Sequence, residues 1–318
     1  MAELQRVNSP ELDSILGEKF SVLNDGFVRV VDYCGADESI VQAARVSCGK
    51  GTKKALEDEE LIRYLIRHHH GTPLEMCVIK FHVRVPMDCW RQWIRHRISS
   101  VNERSSRYSI IDDGAQQAGD DGWRAQARTN KQGSSGFFEK EDGEICSKDE
   151  KYLHEKSMEI YNKRINMGMA REQARKDLPL CSYTEAYWEI NLRSLFNFLF
   201  LRMDSHAQYE IRQYANIIAE NIVSKWVPVA WKAFQDYQLN AMTLSAIDIE
   251  LINIKSGLER FKKAIEIGWI DKKFSDNYKT NKLTEKLPFN LERKEFNEKA
   301  KRLGLKDPFY LNILGLKD

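Results

Sequence analysis

Apolar and polar residues alternate along the chain where strands with one buried face are expected, because successive side chains of a strand point to opposite faces. The clearest case is residues 78–85, whose apolar positions share one side: Ile79, Phe81, Val83 and Val85. Residues 27–34 alternate more weakly, and residues 183–190 also predict a strand. We therefore expect three strands.

Other segments repeat apolar residues with the period of a helix that buries one side. Three helices are predicted over residues 56–69, 152–169 and 207–226. Their apolar positions are, in order, Leu61, Ile62, Leu65 and Ile66; Leu153, Met158, Ile160, Tyr161 and Ile165; Ile211, Ala215, Ile218, Ile222 and Trp226.

Capping residues mark three further helices. Pro86 is suited to the first position of a helix, whose buried stripe is predicted as Trp90, Trp93 and Ile94. Asp37 or Ser39 caps a helix that ends near residues 47–51. Asn191 caps the last of the three, and its buried stripe is predicted as Leu192, Leu195, Phe196 and Leu199.

These elements are compatible with an α+β fold and suggest how the chain divides. Residues 1–235 are predicted to form one domain, interrupted by a polar loop or insertion at about residues 111–151. Long loops of this kind are usually functional lids or disordered. Residues 236–318 are a C-terminal extension of unknown role, in which residues 241–254 and 258–267 are apolar enough to be helices.

Composition and charge narrow the class of protein. The chain has 318 residues, 42% of them hydrophobic and 30% charged, with a formal net charge of +2. These values are ordinary for a globular protein and give no general argument for nucleic acid or an anionic membrane as partner. Residues 1–18 lack the apolar core of a signal peptide, so we expect a cytoplasmic location.

The cysteines and histidines do not predict a metal site. The six cysteines are scattered without a Cys-x-x-Cys pair, so they are expected to be free thiols. His68, His69 and His70 are consecutive, and consecutive residues of a helix do not face one another. The sequence also has no glycine-rich dinucleotide fingerprint, so a Rossmann fold is not indicated.

The candidate chemistry lies in residues 89–109, where cations, hydroxyls and one carboxylate surround two tryptophans. Arg95, His96 and Arg97 lie at the C-terminal end of the predicted helix, where the helix dipole favours cations. The polar set that follows combines donors and acceptors with Glu103, as a site for phosphate and a heterocycle requires. Arginine suits phosphate because its guanidinium forms two parallel hydrogen bonds.

Here the chain resembles the flavin-dependent thymidylate synthases. The first matching block is Arg95-His96-Arg97, seven residues, then Ser105, with Arg107-Tyr108 behind it. The second runs from Asn191-x-Arg193-Ser194 through Asn197 and Arg202 to Gln208-x-Glu210. The resemblance covers about residues 27–235 outside the insertion.

Shorter matches lie between these blocks. His70, Thr72-Pro73 and Glu75 are similar to the family's His-x-Thr-Pro-x-Glu, and Ala174-Arg175 with Leu178-Pro179 to its Ala-Arg-x-x-Leu-Pro. Residues 43–47 look like the family's first motif, whose serine lies near the cofactor, although a plain helix end explains them as well. Capping and exposed polarity likewise explain Asn191 and Asn197.

The resemblance implies a mostly antiparallel sheet flanked by helices, in a homotetramer with shared active sites. It implies methylation of dUMP to dTMP, with 5,10-methylenetetrahydrofolate as carbon donor, FAD as redox carrier and NADPH as reductant.

Arg202 is the implied catalytic residue. Residues implied to bind dUMP are Gln92, Trp93, Arg95, Glu103, Arg104, Ser105, Ser106, Arg107, Arg175 and Arg202. Residues implied to bind FAD are Thr72, Arg95, His96, Arg97, Glu103, Asn191, Leu192, Arg193 and Asn197. Short family members lack the insertion, which implies that chemistry does not need it.

Two alternatives remain open at this point. The arginines with Trp90, Trp93 and Tyr108 are also the residue types of a nucleic-acid-binding platform, against which the near-neutral net charge counts. Cys89, near Arg91, is a candidate thiolate nucleophile because nearby cations lower the pKa of a thiol, and Ser105 is a second candidate. We expect electrostatic activation by Arg202 instead.

Overall fold

Five antiparallel strands form the sheet on which the first part of the chain is built. The computed structural model describes residues 6–46, 57–108, 114–127, 134–254, 256–274 and 289–305. The strands are β1 Phe20–Val22, β2 Gly26–Cys34, β3 Val78–Pro86, β4 Ser99–Glu103, β5 Arg124–Gln126, β6 Ser134–Phe137 and β7 Tyr183–Asn191. The sheet order is β1-β2-β3-β7-β4, and β5 and β6 form a separate hairpin. The antiparallel α+β architecture is therefore confirmed.

The helices of the described residues are numbered in chain order. They are α1 Pro10–Asp13, α2 Asp37–Val46, α3 Asp58–Arg67, α4 Met87–Trp93, α5 Lys140–Asn166, α6 Arg171–Ala174, α7 Leu192–Arg202, α8 Tyr209–Ile217, α9 Ser224–Trp226, α10 Pro228–Phe234, α11 Ala246–Asn253, α12 Gly257–Glu266 and α13 Leu291–Arg302. Short 3₁₀ turns lie at Thr72–Met76, Arg175–Asp177 and Lys272–Phe274, and π-helical turns at Ile218–Val223 and Gln235–Leu239.

The pairing of β3 with β7 fixes the centre of the sheet. The two strands pair over their full length, from Val78 opposite Asn191 to Pro86 opposite Tyr183. The predicted buried side of β3 is confirmed, since Ile79, Phe81, Val83 and Val85 are fully buried. Because the strands are antiparallel, the helix after β3 and the helix after β7 start at opposite ends of this strand pair.

Aromatic side chains fill the space between these helices and the sheet. Trp93 of α4 lies at the middle of the cluster, with ring centroids 5.0 Å from Trp188 of β7 and 4.8 Å from Phe198 of α7. Tyr214 of α8 lies 5.7 Å away on another side. Both Trp90 and Trp93 are therefore core residues, as the periodicity predicted.

The prediction was wrong for Ile94 and for the role of Pro86. Pro86 is the last residue of β3 and the N-cap of α4, so the helix begins one residue later. Helix α4 ends at Trp93, and Ile94 is 45% exposed. The helix is too short for a third apolar position to return to the sheet.

Asp37 ties the start of α2 to the start of α10, where its two carboxylate oxygens accept the N–H groups of Val229 (2.8 Å) and Ala230 (3.0 Å). Asp37 or Ser39 was predicted to cap α2, but Asp37 stabilises the N-terminal end of a different helix. Burial raises the pKa of Asp37 to about 6.

The insertion contains more regular structure than its composition predicted. It holds the β5–β6 hairpin, and α5 begins at Lys140, twelve residues before the predicted start at residue 152. The predicted apolar side of this helix is also wrong in part, because Leu153 and Ile160 are exposed while Tyr161 is buried. A helix with most of its surface in solvent carries no apolar period from which to find its start.

The chain divides by its internal contacts into two compact units, Met1–Asn240 and Ala241–Asp318. The predicted boundary after residue 235 falls within the π-helical turn Gln235–Leu239. The second unit has its own apolar cluster, which includes Phe261, Trp269 and Phe296. None of the helices in the described ranges is both long enough and apolar enough to cross a membrane.

Candidate functional site

Arg202 and His96 meet where two helices converge on the sheet. Arg202 is the last residue of α7, and His96 lies three residues beyond the end of α4. The Nε of Arg202 donates to Nε2 of His96 over 3.1 Å, and its Nη2 donates to the carbonyl oxygen of Gln92 over 3.4 Å. The two sequence blocks are therefore in direct contact through residues 106 positions apart in the chain.

A cavity of about 580 Å³, which we call the arginine cavity, surrounds this contact. Its lining residues come from the segment after α4, from α7 and from the 3₁₀ turn before β3: Glu75, Arg95, His96, Arg97, Ile98, Arg193, Ser194, Asn197, Leu201 and Arg202. Four arginines against one glutamate give this cavity a net positive charge.

His96 is held neutral inside this cationic surrounding. Burial, and then the positive charge of Arg202, lower the pKa of His96 to about 4. Its Nε2 is consequently an acceptor for the arginine, and its ring packs edge-on against Phe198 at 5.0 Å. Burial also lowers the pKa of Arg202, but a guanidinium keeps its proton in proteins. The pair thus presents one fixed positive charge.

Residues near the N-terminal end of α7 hold the rest of the arginine cavity in place. Arg193 forms a 2.5 Å ion pair with Glu75. The side-chain oxygen of Asn191 accepts the N–H of Ser194 at 2.9 Å, so the predicted cap is confirmed. Thr72, at the start of the 3₁₀ turn that carries Glu75, is exposed.

A second cavity, of about 310 Å³, lies near the other end of β7, and we call it the Arg175 cavity. It is lined by Arg84, Met87, Glu103, Arg104, Ser106, Arg175, Leu178, Pro179, Leu180, Ser182, Tyr183 and Thr184. Arg175 donates to the hydroxyl of Ser106. Arg84 pairs with Asp25 and Glu185, so its charge is already balanced.

Glu103 is fixed at the wall of the Arg175 cavity by two donors. Trp90 Nε1 donates to one carboxylate oxygen at 3.0 Å, and the hydroxyl of Thr184 donates to the other at 2.8 Å. The buried Trp90 therefore contributes through its single polar atom, and the carboxylate is oriented before any ligand arrives.

Arg107 and Ser105 lie beside this second cavity on an exposed turn. Arg107 Nε is 3.1 Å from a carboxylate oxygen of Glu172, and both side chains are more than half exposed. The backbone N–H of Arg107 donates to the Ser105 hydroxyl at 3.3 Å. An exposed ion pair of this kind contributes little stability, so Arg107 can exchange its partner for a phosphate at small cost.

Two of the implied ligand residues have fully buried side chains. The side chain of Trp93 is fully buried in the aromatic cluster, and that of Leu192 is fully buried under α7. Neither side chain can touch a nucleotide or a flavin without unpacking the core. Gln92 is half-buried and donates through its side chain to Gln208.

Several cavity residues were missed by sequence reasoning. Ser194 lies one helical turn before Asn197 on the same side of α7, and Glu75 belongs to a quoted motif, so both had a signal. Thr184 and Arg84 had none, because they reach the Arg175 cavity through the β3–β7 register, in which Val85 faces Thr184 and Arg84 faces Glu185.

Neither Cys89 nor Cys181 is activated as a nucleophile. Cys89 is fully buried, and its burial together with Asp88 and Glu210 raises the pKa of its thiol. Burial also raises the pKa of Cys181, which lies 2.9 Å from Nε2 of His154. The hypothesis that Arg91 activates Cys89 therefore fails, because acidic neighbours and burial outweigh it.

The nucleic-acid platform is disfavoured on similar grounds. Trp90 and Trp93 are 2% and 0% exposed, so neither ring is available for stacking on a base. Of the three aromatic residues considered, only Tyr108 is exposed.

The arginine cavity fits a flavin dinucleotide in charge and volume. Its volume is in the usual range for ligand and cofactor sites, and arginines with adjacent amide and hydroxyl groups are suited to a pyrophosphate. Asn197 and Ser194 supply the neutral hydrogen-bonding groups.

Comparisons with known proteins find relatives over most of the chain. A family model described as "Thymidylate synthase complementing protein" matches residues 29–229. The flavin-dependent thymidylate synthase of Wolbachia pipientis wMel is 49% identical over 248 residues, which cover 76% of this chain and 85% of that protein. That of Gluconobacter oxydans (strain 621H) is 49% identical over 239 residues, which cover 74% and 78%.

Solved structures give the same result for the fold. The UMP/dUMP methylase PolB from Streptomyces cacaoi, bound with 5-Br UMP, is similar with a TM-score of 0.61 and 31% identity, over 69% of this chain and 97% of that one. Its complex with 5-Br dUMP has a TM-score of 0.61 and 30% identity, over 69% and 99%.

The charge state of His96 predicts how stability depends on pH. Its pKa is about 4 in the folded protein and returns toward the ordinary 6.5 on unfolding, so protonation favours the unfolded chain. The stability that depends on neutral His96 is complete above about pH 6.5 and is lost as the pH falls through 4. We expect His96→Gln, which keeps an acceptor for Arg202, to lose less stability than the wild type between pH 6.5 and 4. Urea unfolding at a fixed flavin concentration measures this.

His68→Gln, at an exposed position outside the cavity, is the matched control and should keep the wild-type pH dependence. If His96→Gln and the wild type lose the same stability over this range, the neutral state assigned to His96 is wrong.

Proposed function

The chain belongs to the flavin-dependent thymidylate synthase family, and from that premise we propose that it methylates dUMP to dTMP. The proposed redox carrier is FAD, the carbon donor is 5,10-methylenetetrahydrofolate and the reductant is NADPH. The observation that supports this most strongly is the contact of Arg202 with a neutral His96 inside a cavity lined by four arginines.

The arginine cavity is the proposed flavin site. Arg95, Arg97 and Arg193 would hold the pyrophosphate and neighbouring polar groups, with Asn197 in the same cavity and Asn191 at the N-cap of α7. His96 and Thr72 complete the proposed set, whereas Leu192 supports it only by packing. The bound flavin supplies the hydride chemistry, and the protein supplies placement and charge.

The nucleotide is proposed to lie between the Arg175 cavity of one subunit and the arginine cavity of another. Arg107 and Arg175 carry positive charge to its phosphate, with Ser105 and Ser106 as hydroxyl donors beside them. Glu103, with its carboxylate fixed by Trp90 and Thr184, would accept a hydrogen bond from the sugar or the base. Arg104 and Gln92 are placed around the same ligand.

Arg202 is the proposed catalytic residue. C5 of uracil is a weak nucleophile, and it becomes stronger when negative charge grows on N3 and the adjacent carbonyl oxygens. A guanidinium held there stabilises that charge most in the transition state, and a site of low polarity strengthens the effect. His96 assists because, as a neutral acceptor, it orients Arg202 without cancelling its charge.

Covalent activation by a cysteine is not part of this proposal. The thiols of Cys77, Cys89 and Cys181 have pKa values raised by burial, and only a thiolate is a competent nucleophile. The arginines that could lower the pKa of a thiol are instead proposed to bind the nucleotide.

We further propose that each active site is shared between subunits of a homotetramer. The arginine cavity and the Arg175 cavity have no lining residue in common among the described parts of the chain. In this proposal, a nucleotide held by Arg202 at its base and by Arg175 at its phosphate draws these residues from different subunits. A cytoplasmic location and the choice of NADPH over NADH stay predictions.

The activity is tested by assaying dTMP formation. The purified protein should show the visible absorption of oxidised flavin and should convert dUMP to dTMP when both the folate and NADPH are present. Omission of either one should reduce multiple turnover to background. A flavin-free protein that binds oligonucleotides with strong salt dependence would refute the proposal.

Replacing Arg202 should separate catalysis from binding. We expect Arg202→Ala to lower kcat by about 100-fold or more, because it removes charge stabilisation from the transition state. KM for dUMP should change by much less. Steady-state kinetics of dTMP formation measure both quantities.

Arg91→Ala, which removes an exposed arginine from α4, and Cys89→Ala are the matched controls and should keep kcat near the wild-type value. A Cys89 variant that folds and binds both ligands yet makes no dTMP would contradict electrostatic activation.

Shared sites predict that two inactive variants restore each other. In a mixture of Arg107→Ala and Arg202→Ala subunits, some sites receive both intact arginines, one from each subunit. Activity should then rise well above that of either variant alone, once differently tagged subunits are shown to exchange by co-purification. No recovery despite demonstrated exchange would mean that one chain supplies both arginines to a site.

A further inference from the structure

Glu210 is a buried carboxylate for which the proposed chemistry has no use. It is 7% exposed and lies in the first turn of α8, where the positive end of the helix dipole favours an anion. Its Oε2 has no hydrogen-bond partner within the described ranges. Among the described side chains, the negative charge of Glu210 is therefore compensated only by the group in contact with Oε1.

Arg124 of the insertion meets that oxygen. Its Nη2 lies 2.6 Å from Glu210 Oε1, although the two residues are 86 positions apart. The guanidinium also lies 4.8 Å from the centre of the Tyr209 ring, and its Nη1 donates to the carbonyl oxygen of Gly122 at 3.3 Å. Because both charged side chains are largely buried, solvent screens this ion pair only weakly.

The first turn of α8 is in turn connected to the proposed nucleotide site. Gln208, the N-cap of α8, donates to Asp88 at 3.0 Å and accepts from the side chain of Gln92. Both Asp88 and Gln92 are on α4, and the Gln92 carbonyl oxygen accepts from Arg202. Any shift of the first turn of α8 would therefore move Gln92 beside the catalytic arginine.

We propose that Arg124 is a positioning residue for dUMP binding, which holds Gln92 in place through Glu210 and Gln208. This inference rests on the proposed function, because Gln92 is a proposed dUMP ligand. It opposes the expectation from shorter relatives that the insertion is dispensable.

Removing one member of a buried ion pair leaves the other without compensation, which costs more than removing both charges. Arg124→Ala leaves Glu210 buried and unpaired, and the first turn of α8 must shift to bring the carboxylate to water. Arg124→Ala/Glu210→Gln removes both charges, so the helix can keep its position. A side chain that mattered only by its bulk would show no such rescue.

The test measures KM for dUMP, kcat and dUMP affinity in the full-length protein. Arg124→Ala should raise KM by about tenfold or more, the range expected for an unpaired buried polar group, with a smaller change in kcat. Arg124→Lys and Arg124→Ala/Glu210→Gln should each recover most of the affinity. Lys140→Ala, an exposed cation on the first turn of α5, is the matched control and should bind dUMP as the wild type does.

An Arg124→Ala protein with wild-type KM overturns the inference, and so does a double variant no better than Arg124→Ala. If Arg124→Ala does not fold, the double variant is still expected to fold and bind dUMP, and its failure also overturns the inference. A wild-type protein that makes no dTMP refutes the proposed function instead, so the two failures are distinguishable.

Discussion

The antiparallel pairing of β3 with β7 is the constraint on which the site depends. It places the start of α4 at one end of the paired strands and the start of α7 at the opposite end. The seven residues of α4 and the eleven of α7 span about 10 Å and 16 Å, and nine residues of strand span about 30 Å. The two helices run toward each other over the strands, and their C-terminal ends meet where Arg202 contacts His96.

Burial then determines the electrostatics of that meeting point. The same aromatic cluster that packs α4 and α7 onto the sheet removes water from one side of His96 and keeps it neutral. A protonated histidine would repel Arg202 and the other arginines of the cavity. Because the imidazole is neutral, the positive charge of the Arg202–His96 pair lies on Arg202, at the C-terminal end of a helix where a cation is favoured.

Much of this arrangement was predictable from sequence, and the exceptions have physical reasons. The alternation in β3 and the cap at Asn191 are local signals, and both were confirmed. A motif match does not separate residues that contact a ligand from residues that support them, and the side chains of Trp93 and Leu192, both implied ligand residues, lie in the core. The start of α5 carried no apolar period, and the Arg124–Glu210 pair joins distant parts of the chain that no local pattern connects.

Arg202 is proposed to draw negative charge onto the pyrimidine. The most direct measurement is an ultraviolet titration of a bound 5-halogenated dUMP analogue, which reports loss of the N3 proton. We predict that N3 of the bound analogue loses its proton at a lower pH than N3 of the free analogue. The shift should disappear in Arg202→Ala, provided that the analogue is still bound. Equal N3 titration in the bound and free analogue, or a shift that persists without Arg202, would contradict the claim.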